Sequence, residues 1–164
     1  MRPQGTVVAA AVLATALASC GYSFGSGLDQ LSVRTVAIDV VGNDTFRQRL
    51  EAELSAALAR ELPSSSDLQI ADRRTADAIL DVVLTSAGER TLVTGSRVDP
   101  VREGAFTAGV WVRLVARDGR VLLERRISDR TEFRSPIGEN LTTARGELVE
   151  DLARKIAMSL EADF

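Results

Sequence analysis

The chain has 164 residues, 45% hydrophobic and 26% charged, with a net charge of −3, a composition that supports a buried core and offers no basic excess for nucleic acid. It contains no histidine and one cysteine, Cys20, which excludes histidine-dependent triads, zinc sites of His/Cys type and internal disulfides. Carboxylates and Lys155, the one lysine, remain, but no pair of them stands at a catalytic spacing, and an enzyme is not expected.

Arg2 precedes an uncharged run from Gln4 to Ser19, the pattern of an export signal. Its strongly apolar part, Val7 to Ala18, is 12 residues long, short of the roughly 20 a membrane span requires. Leu17-Ala18-Ser19-Cys20 resembles the bacterial lipobox. That resemblance implies cleavage between Ser19 and Cys20, a diacylglycerol on the Cys20 sulfur and an acyl chain on its new amino group. Several chains together anchor a protein durably, where one does so marginally. The expected organisation is a lipoprotein signal peptide over 1–19, an acylated flexible leader over 20–32 containing Gly21, Gly25 and Gly27, and a single domain over 33–164.

Val33 to Val41 is rich in β-branched residues and reads as a first, interior strand with Val36, Ile38 and Val40 on one side. Gly42-Asn43-Asp44 breaks it. Thr45 and Gln48 fit a capping box, opening a helix of about 17 residues whose stripe is Phe46, Leu50, Leu54, Ala57, Leu58 and Leu62. Pro63 and the serines after it are expected to end that helix. Leu68-Gln69-Ile70 is a short edge-strand candidate. Ala76 to Leu92 is a long extended one, with Leu80, Val82 and Leu84 on one face and Ile79, Val83 and Thr85 on the other. Asp77 and Asp81 are about 13 Å apart along a strand, too far to share a proton, and are expected to be solvated at an edge or turn.

Thr94 to Glu103 is a polar connection. Beyond it, two alternating runs flank Arg117-Asp118-Gly119-Arg120, and Asp-Gly favours a two-residue type I′ hairpin. That register sets Leu114 against Leu123, Val112 against Arg125 and Val110 against Ile127. Phe106, Ala108, Val110, Val112, Leu114, Ala116, Val121, Leu123 and Ile127 form the expected core face, with Arg125 as a mismatch. The opposite face carries Trp111, Arg113, Glu124 and Arg126. There Arg113 is expected to bridge to Glu124 and Arg126 to stack on Trp111, a surface that is either solvated or a partner contact. Ser135 to Gly138 breaks the run, and Leu141, Ala144, Leu148, Leu152, Ile156 and Leu160 mark a second amphipathic helix from Asn140.

The expected fold is α+β: a two-layer sandwich of two amphipathic helices on one face of a mostly antiparallel four- or five-stranded sheet. The lipobox with Gly21-Tyr22-Ser23-Phe24, Thr35-Val36-Ala37-Ile38, Asn43-Asp44-Thr45 before a helix, and Ala76-Asp77-Ala78-Ile79-Leu80 opening a strand together resemble the LPS-assembly lipoprotein LptE family. The resemblance implies an outer-membrane lipoprotein on the periplasmic side that plugs the LptD β-barrel, assists its assembly and helps deliver lipopolysaccharide to the surface. No cofactor is implied beyond the covalent lipid on Cys20. Gly21, in place of an aspartate, favours outer-membrane sorting. Arg90, Arg97 and Arg102 lie in the region where such proteins are proposed to contact lipopolysaccharide, whose phosphates suit guanidinium groups. Strand, Asn-x-Thr, helix and a later Ala-Asp-Ala strand also look like lipoproteins of the curli-export or penicillin-binding-protein-activator type, which act by oligomerising or by docking on an enzyme.

Overall fold

Three long extended segments decide the architecture. The computed structural model describes residues 32–98 and 101–161, without the side chains of residues 101 and 102. In order they form β1 (Thr35–Ile38), β2 (Gly42–Asn43), α1 (Leu50–Ser65), β3 (Gln69–Ile70), β4 (Ala78–Thr94), β5 (Val101–Ala116), β6 (Val121–Arg134) and α2 (Leu141–Glu161). A 3₁₀ turn at Ser135–Ile137 joins β6 to α2. One six-stranded sheet runs β3-β1-β4-β5-β6, with β2 also beside β4. β4, β5 and β6 pair antiparallel, whereas β1 pairs parallel with β3 and β4, and β2 parallel with β4. Both helices pack on one face, giving the α+β two-layer sandwich expected.

The core lies between the layers. Leu80, Val82 and Leu84 of β4, Phe106 to Leu114 at alternate positions of β5, and Leu123 of β6 meet Leu50, Leu54, Leu58 and Leu62 of α1 and Leu148, Leu152 and Ile156 of α2. Leucine dominates the fully buried large side chains, and each such leucine contributes roughly 1.5–3 kcal/mol. Asn140 caps α2, accepting from the Thr142 and Thr143 N–H groups at 2.8 and 3.2 Å, while its own N–H donates to Thr143 Oγ1 at 3.0 Å.

Several expectations are corrected locally. Val40 does not share the buried side of Val36: β1 stops at Ile38, Val40 is 90% exposed, and Val41 turns inward. Three residues, Asp39 to Val41, oppose the two β4 residues between the β1 and β2 pairings, and this bulge reverses the phase. The Val40 N–H is spent on Asp39 Oδ1 at 2.9 Å. Phe46 is fully exposed, outside the stripe, because α1 begins only at Leu50. Asn43 organises the preceding loop, accepting from the Thr45 N–H and Oγ1 at 2.9 and 2.7 Å and donating to the Arg47 carbonyl at 2.9 Å. Those local bonds replace the capping box.

Pro63 sits inside α1, which runs on to Ser65. Serine hydroxyls satisfy the final turn, Ser64 Oγ donating to the Glu61 carbonyl at 2.9 Å and Ser66 Oγ to that of Leu62 at 2.6 Å. At the hairpin the register of Val110, Val112 and Leu114 is as expected, but pairing shifts beyond Leu114, and the turn is not type I′. The Gly119 N–H closes on the Ala116 carbonyl at 2.8 Å, the Arg120 carbonyl accepts from the Ala116 N–H at 2.8 Å, and only Gly119 takes positive φ, at 88°. A turn followed by a left-handed glycine forms a three-residue loop with a bulge. The expected polar connection also shrinks, since β5 begins at Val101 and Thr94 pairs with it.

Candidate functional site: the uncovered sheet face

The face turned away from the helices carries a row of charged and aromatic side chains crossing four strands. Its first member is Asp39, just past β1, ion-paired with Arg73. That guanidinium, with a bond from the Val40 N–H, holds the Asp39 carboxyl below its ordinary value. On β4, Asp81 Oδ2 accepts from Arg113 Nη2 at 2.8 Å and Nε at 3.1 Å. Arg113 in turn lies over the Trp111 ring, 4.9 Å from its centroid, and the Trp111 indole N–H donates to Glu124 Oε1 at 3.2 Å.

Two expected contacts are therefore replaced. Glu124 is directly across from Arg113 in the β5–β6 register, as is Asp81 on the β4 side. Arg113 takes Asp81, whose side chain is 22% exposed on an interior strand, where an ion pair is less screened than at the exposed edge. Glu124 is left to reach the diagonal neighbour Trp111, within range on an antiparallel sheet. Arg126 pairs with Trp111 in register, but the cation over the indole is Arg113. Asp81 is thus an ion-pair partner rather than a solvated edge residue.

Asp77 is also no turn ornament. Its Oδ2 accepts from Thr35 Oγ1 at 2.7 Å and from the Thr35 and Arg34 N–H groups at 2.9 and 3.1 Å, fastening the start of β1 to the start of β4. These bonds, the Thr35 hydroxyl first, hold its carboxyl below the ordinary value.

A shallow depression on this face is lined by Asp39, Gly42, Arg73, Val83, Trp111 and Arg113, with exposed Val40 at its rim. Among the described residues no group of acidic side chains gathers as a metal site, and no helix is long and apolar enough to cross a membrane. The row offers ion pairs and an aromatic plane, features that suit docking.

The other candidates lie elsewhere. Arg90 is exposed on β4, paired with Ala105, and Arg97 is exposed in the loop between β4 and β5. Arg102 is on β5, with its side chain outside the description. The three share the far half of one hairpin, with Arg90 about 20 Å along the sheet from Trp111. Ser19 and Cys20 lie outside the described residues. Asp39, Arg73 and Asp81 were not legible as site members: their placement depends on pairing across long or bulged connections, and only the odd-numbered parity Asp81 shares with Ile79 and Val83 pointed to this face.

The family model LptE, described as lipopolysaccharide-assembly, matches residues 33–163. The chain belongs to the LptE lipopolysaccharide-assembly family. Its members are assembly lipoproteins, not enzymes. No curated protein matches the sequence significantly.

Solved structures share the fold. The hypothetical protein CT253 from Chlamydia trachomatis superposes with a TM-score of 0.60 at 15% identity, over 79% of this chain and 96% of that one. A subunit of the PelC dodecamer from Paraburkholderia phytofirmans gives 0.55 at 18% identity over 79% and 90%. The uncharacterized lipoprotein B from Nitrosomonas europaea gives 0.53 at 16% over 79% and 83%. At such identities these likenesses concern the fold alone.

Proposed function

We propose that this LptE-family protein is an outer-membrane lipoprotein, exported on residues 1–19, acylated on Cys20 and joined through the leader 20–32 to a single domain over 33–164. That domain docks as a plug in the LptD β-barrel, assists its assembly and helps deliver lipopolysaccharide to the cell surface. The observation that supports docking is the row from Asp81 through Arg113 and Trp111 to Glu124 on the sheet face the helices leave open. A stacked Trp–Arg pair is pre-organised, so little side-chain freedom is lost when a partner covers it. Arg90, Arg97 and Arg102 on the far half of the β4–β5 hairpin are candidates for the glycolipid phosphates, which a guanidinium grips with two parallel hydrogen bonds.

The experiment is to extract the acylated protein from cell envelopes in mild detergent and identify what accompanies it. Recovery of the LptD barrel is expected. A second reading, assembly as a ring or docking on a peptidoglycan synthase, draws on the fold shared with a PelC dodecamer subunit. Recovery of a ring or of such an enzyme without the barrel would establish it instead. Cys20→Ala is expected to move the protein out of the membrane fraction.

A further inference from the structure

The loop from Asn43 to Arg49 carries the chain from β2, at the sheet edge beside β4, to the start of α1. Phe46 is its middle residue and is fully exposed. A lone exposed apolar side chain is ordinary on a protein surface, but the chain around this one is tied down on both sides. Asn43 uses its whole side-chain capacity here: Oδ1 accepts from the Thr45 N–H at 2.9 Å and from Thr45 Oγ1 at 2.7 Å, and Nδ2 donates to the Arg47 carbonyl at 2.9 Å and to Glu51 Oε2 at 2.6 Å. The Asp44 N–H donates to the Leu84 carbonyl at 2.9 Å, the Arg47 N–H to Thr45 Oγ1 at 3.1 Å, and the Arg49 N–H to Glu51 Oε1 at 3.3 Å. From α2, Arg145 Nη2 donates to the Gln48 carbonyl at 3.3 Å.

Arg49 adopts a φ of 70°, a left-handed backbone that is unfavourable for a residue with a Cβ, so the surroundings impose the shape of the loop. Arg47 reaches from the loop to the sheet, its guanidinium 3.7 Å from Glu89 on β4 and 5.9 Å from the centroid of the Phe106 ring on β5. It thereby covers the aromatic surface within reach of the loop, and Phe46, one residue earlier, is left in solvent. None of these bonds helps to bury Phe46. They fix the backbone that presents it, so less freedom is lost when a partner encloses the ring.

We propose that Phe46 is an anchor for a protein partner, entering an apolar pocket of that partner while the exposed Asp44, Gln48 and Arg49 form a polar rim around it. An aromatic centre within a polar rim is the composition of a protein hot spot. A lipid surface is met by several apolar side chains with cations beside them, whereas here one ring stands among an acid, an amide and a base. This contact rests on the reading of the chain as a plug of the LptD barrel, which identifies the partner, and deepens it. A plug is touched on more than one side, and the loop lies at the sheet edge beside β4, off the row from Asp81 to Glu124. Asn43 is then a positioning residue that acts through Phe46.

The test compares the unaltered acylated chain with Phe46→Ala, Asn43→Ala and the two combined, reading the barrel recovered in mild detergent across a dilution series, with folding checked by thermal melting. Phe46→Ala is expected to leave melting unchanged and to weaken barrel association by at least about tenfold, the value of burying one phenylalanine. Asn43→Ala is expected to weaken it less, and to add no further loss when Phe46 is already alanine, as coupled residues do. In intact cells a photoreactive benzoylphenylalanine in place of Phe46 is expected to crosslink to the barrel. Crosslinking to lipid alone, or a Phe46→Ala chain that recovers as much barrel as the unaltered one, overturns the anchor and leaves the plug reading standing. Full additivity of the two substitutions overturns the positioning role of Asn43. An unaltered chain that recovers no barrel overturns the plug reading, and this contact with it.

Discussion

The two faces of the sheet are built by different rules. On the covered face, Leu80, Val82, Leu84, Val110, Val112 and Leu114 are almost wholly buried against leucines of α1 and α2. On the open face, Asp81, Arg113, Trp111 and Glu124 satisfy one another through directed bonds while staying partly accessible. Apolar burial is non-directional and large, whereas an exposed ion pair contributes little to stability. The open face can therefore be altered without unfolding the domain, and the core cannot.

The contrast is testable by substitution. The largest effect is expected from Leu152→Ala on α2, a buried side chain whose loss leaves a cavity, lowering unfolding free energy by about 2–5 kcal/mol in urea titration. Next comes Gly104→Ala. A Cβ there would stand 2.4 Å from the Phe133 ring that covers it, and displacing that ring is expected to cost about 1–3 kcal/mol. Asp77→Asn, which weakens the tie between β1 and β4, is expected to cost roughly 1 kcal/mol after solvent screening.

Asp77 also links stability to pH. Its folded carboxyl is held below the unfolded value, so its contribution is complete above the ordinary carboxylate range, near pH 4, and fades as pH falls through the lower folded value. The wild-type advantage over Asp77→Asn should therefore shrink in acid, while Asp39, also held below its ordinary value, gives both proteins a slope of the same sign. The smallest stability effect is expected from Arg113→Gln, below about 1 kcal/mol. A loss there as large as that of Leu152→Ala would erase the contrast between the faces.

The covered face was the more legible from sequence because hydrophobic periodicity reports burial directly. The leucines of α1 and α2 and the alternation in β4, β5 and β6 placed both helices and three strands. Periodicity carries no information on phase breaks. The bulge at Asp39 to Val41 and the shift between Leu84 and Ser86 come from backbone bonds that side-chain pattern does not encode. α1 began late for a related reason: Asn43 and Thr45 had local bonds that compete with a helix cap.

The open face was legible in membership but not in contacts. Trp111, Arg113, Glu124 and Arg126 followed from the β5–β6 register, in which the shift between Leu114 and Val115 offsets the three-residue turn and restores the pairing a two-residue turn would give. The choice of Asp81 over Glu124 depended on the β4–β5 register, which a longer connection left open. Arg90, Arg97 and Arg102 rested on resemblance alone, and the fold sets them on the far half of a hairpin, away from the row.

The most direct measurement is the fraction of LptD recovered with the acylated protein when Trp111→Ala is combined with Arg113→Glu, alongside a melting curve for the free variant. The expected result is a several-fold fall in barrel recovery with melting little changed. Undiminished recovery from a folded double variant would contradict the assignment of the open sheet face as the docking surface.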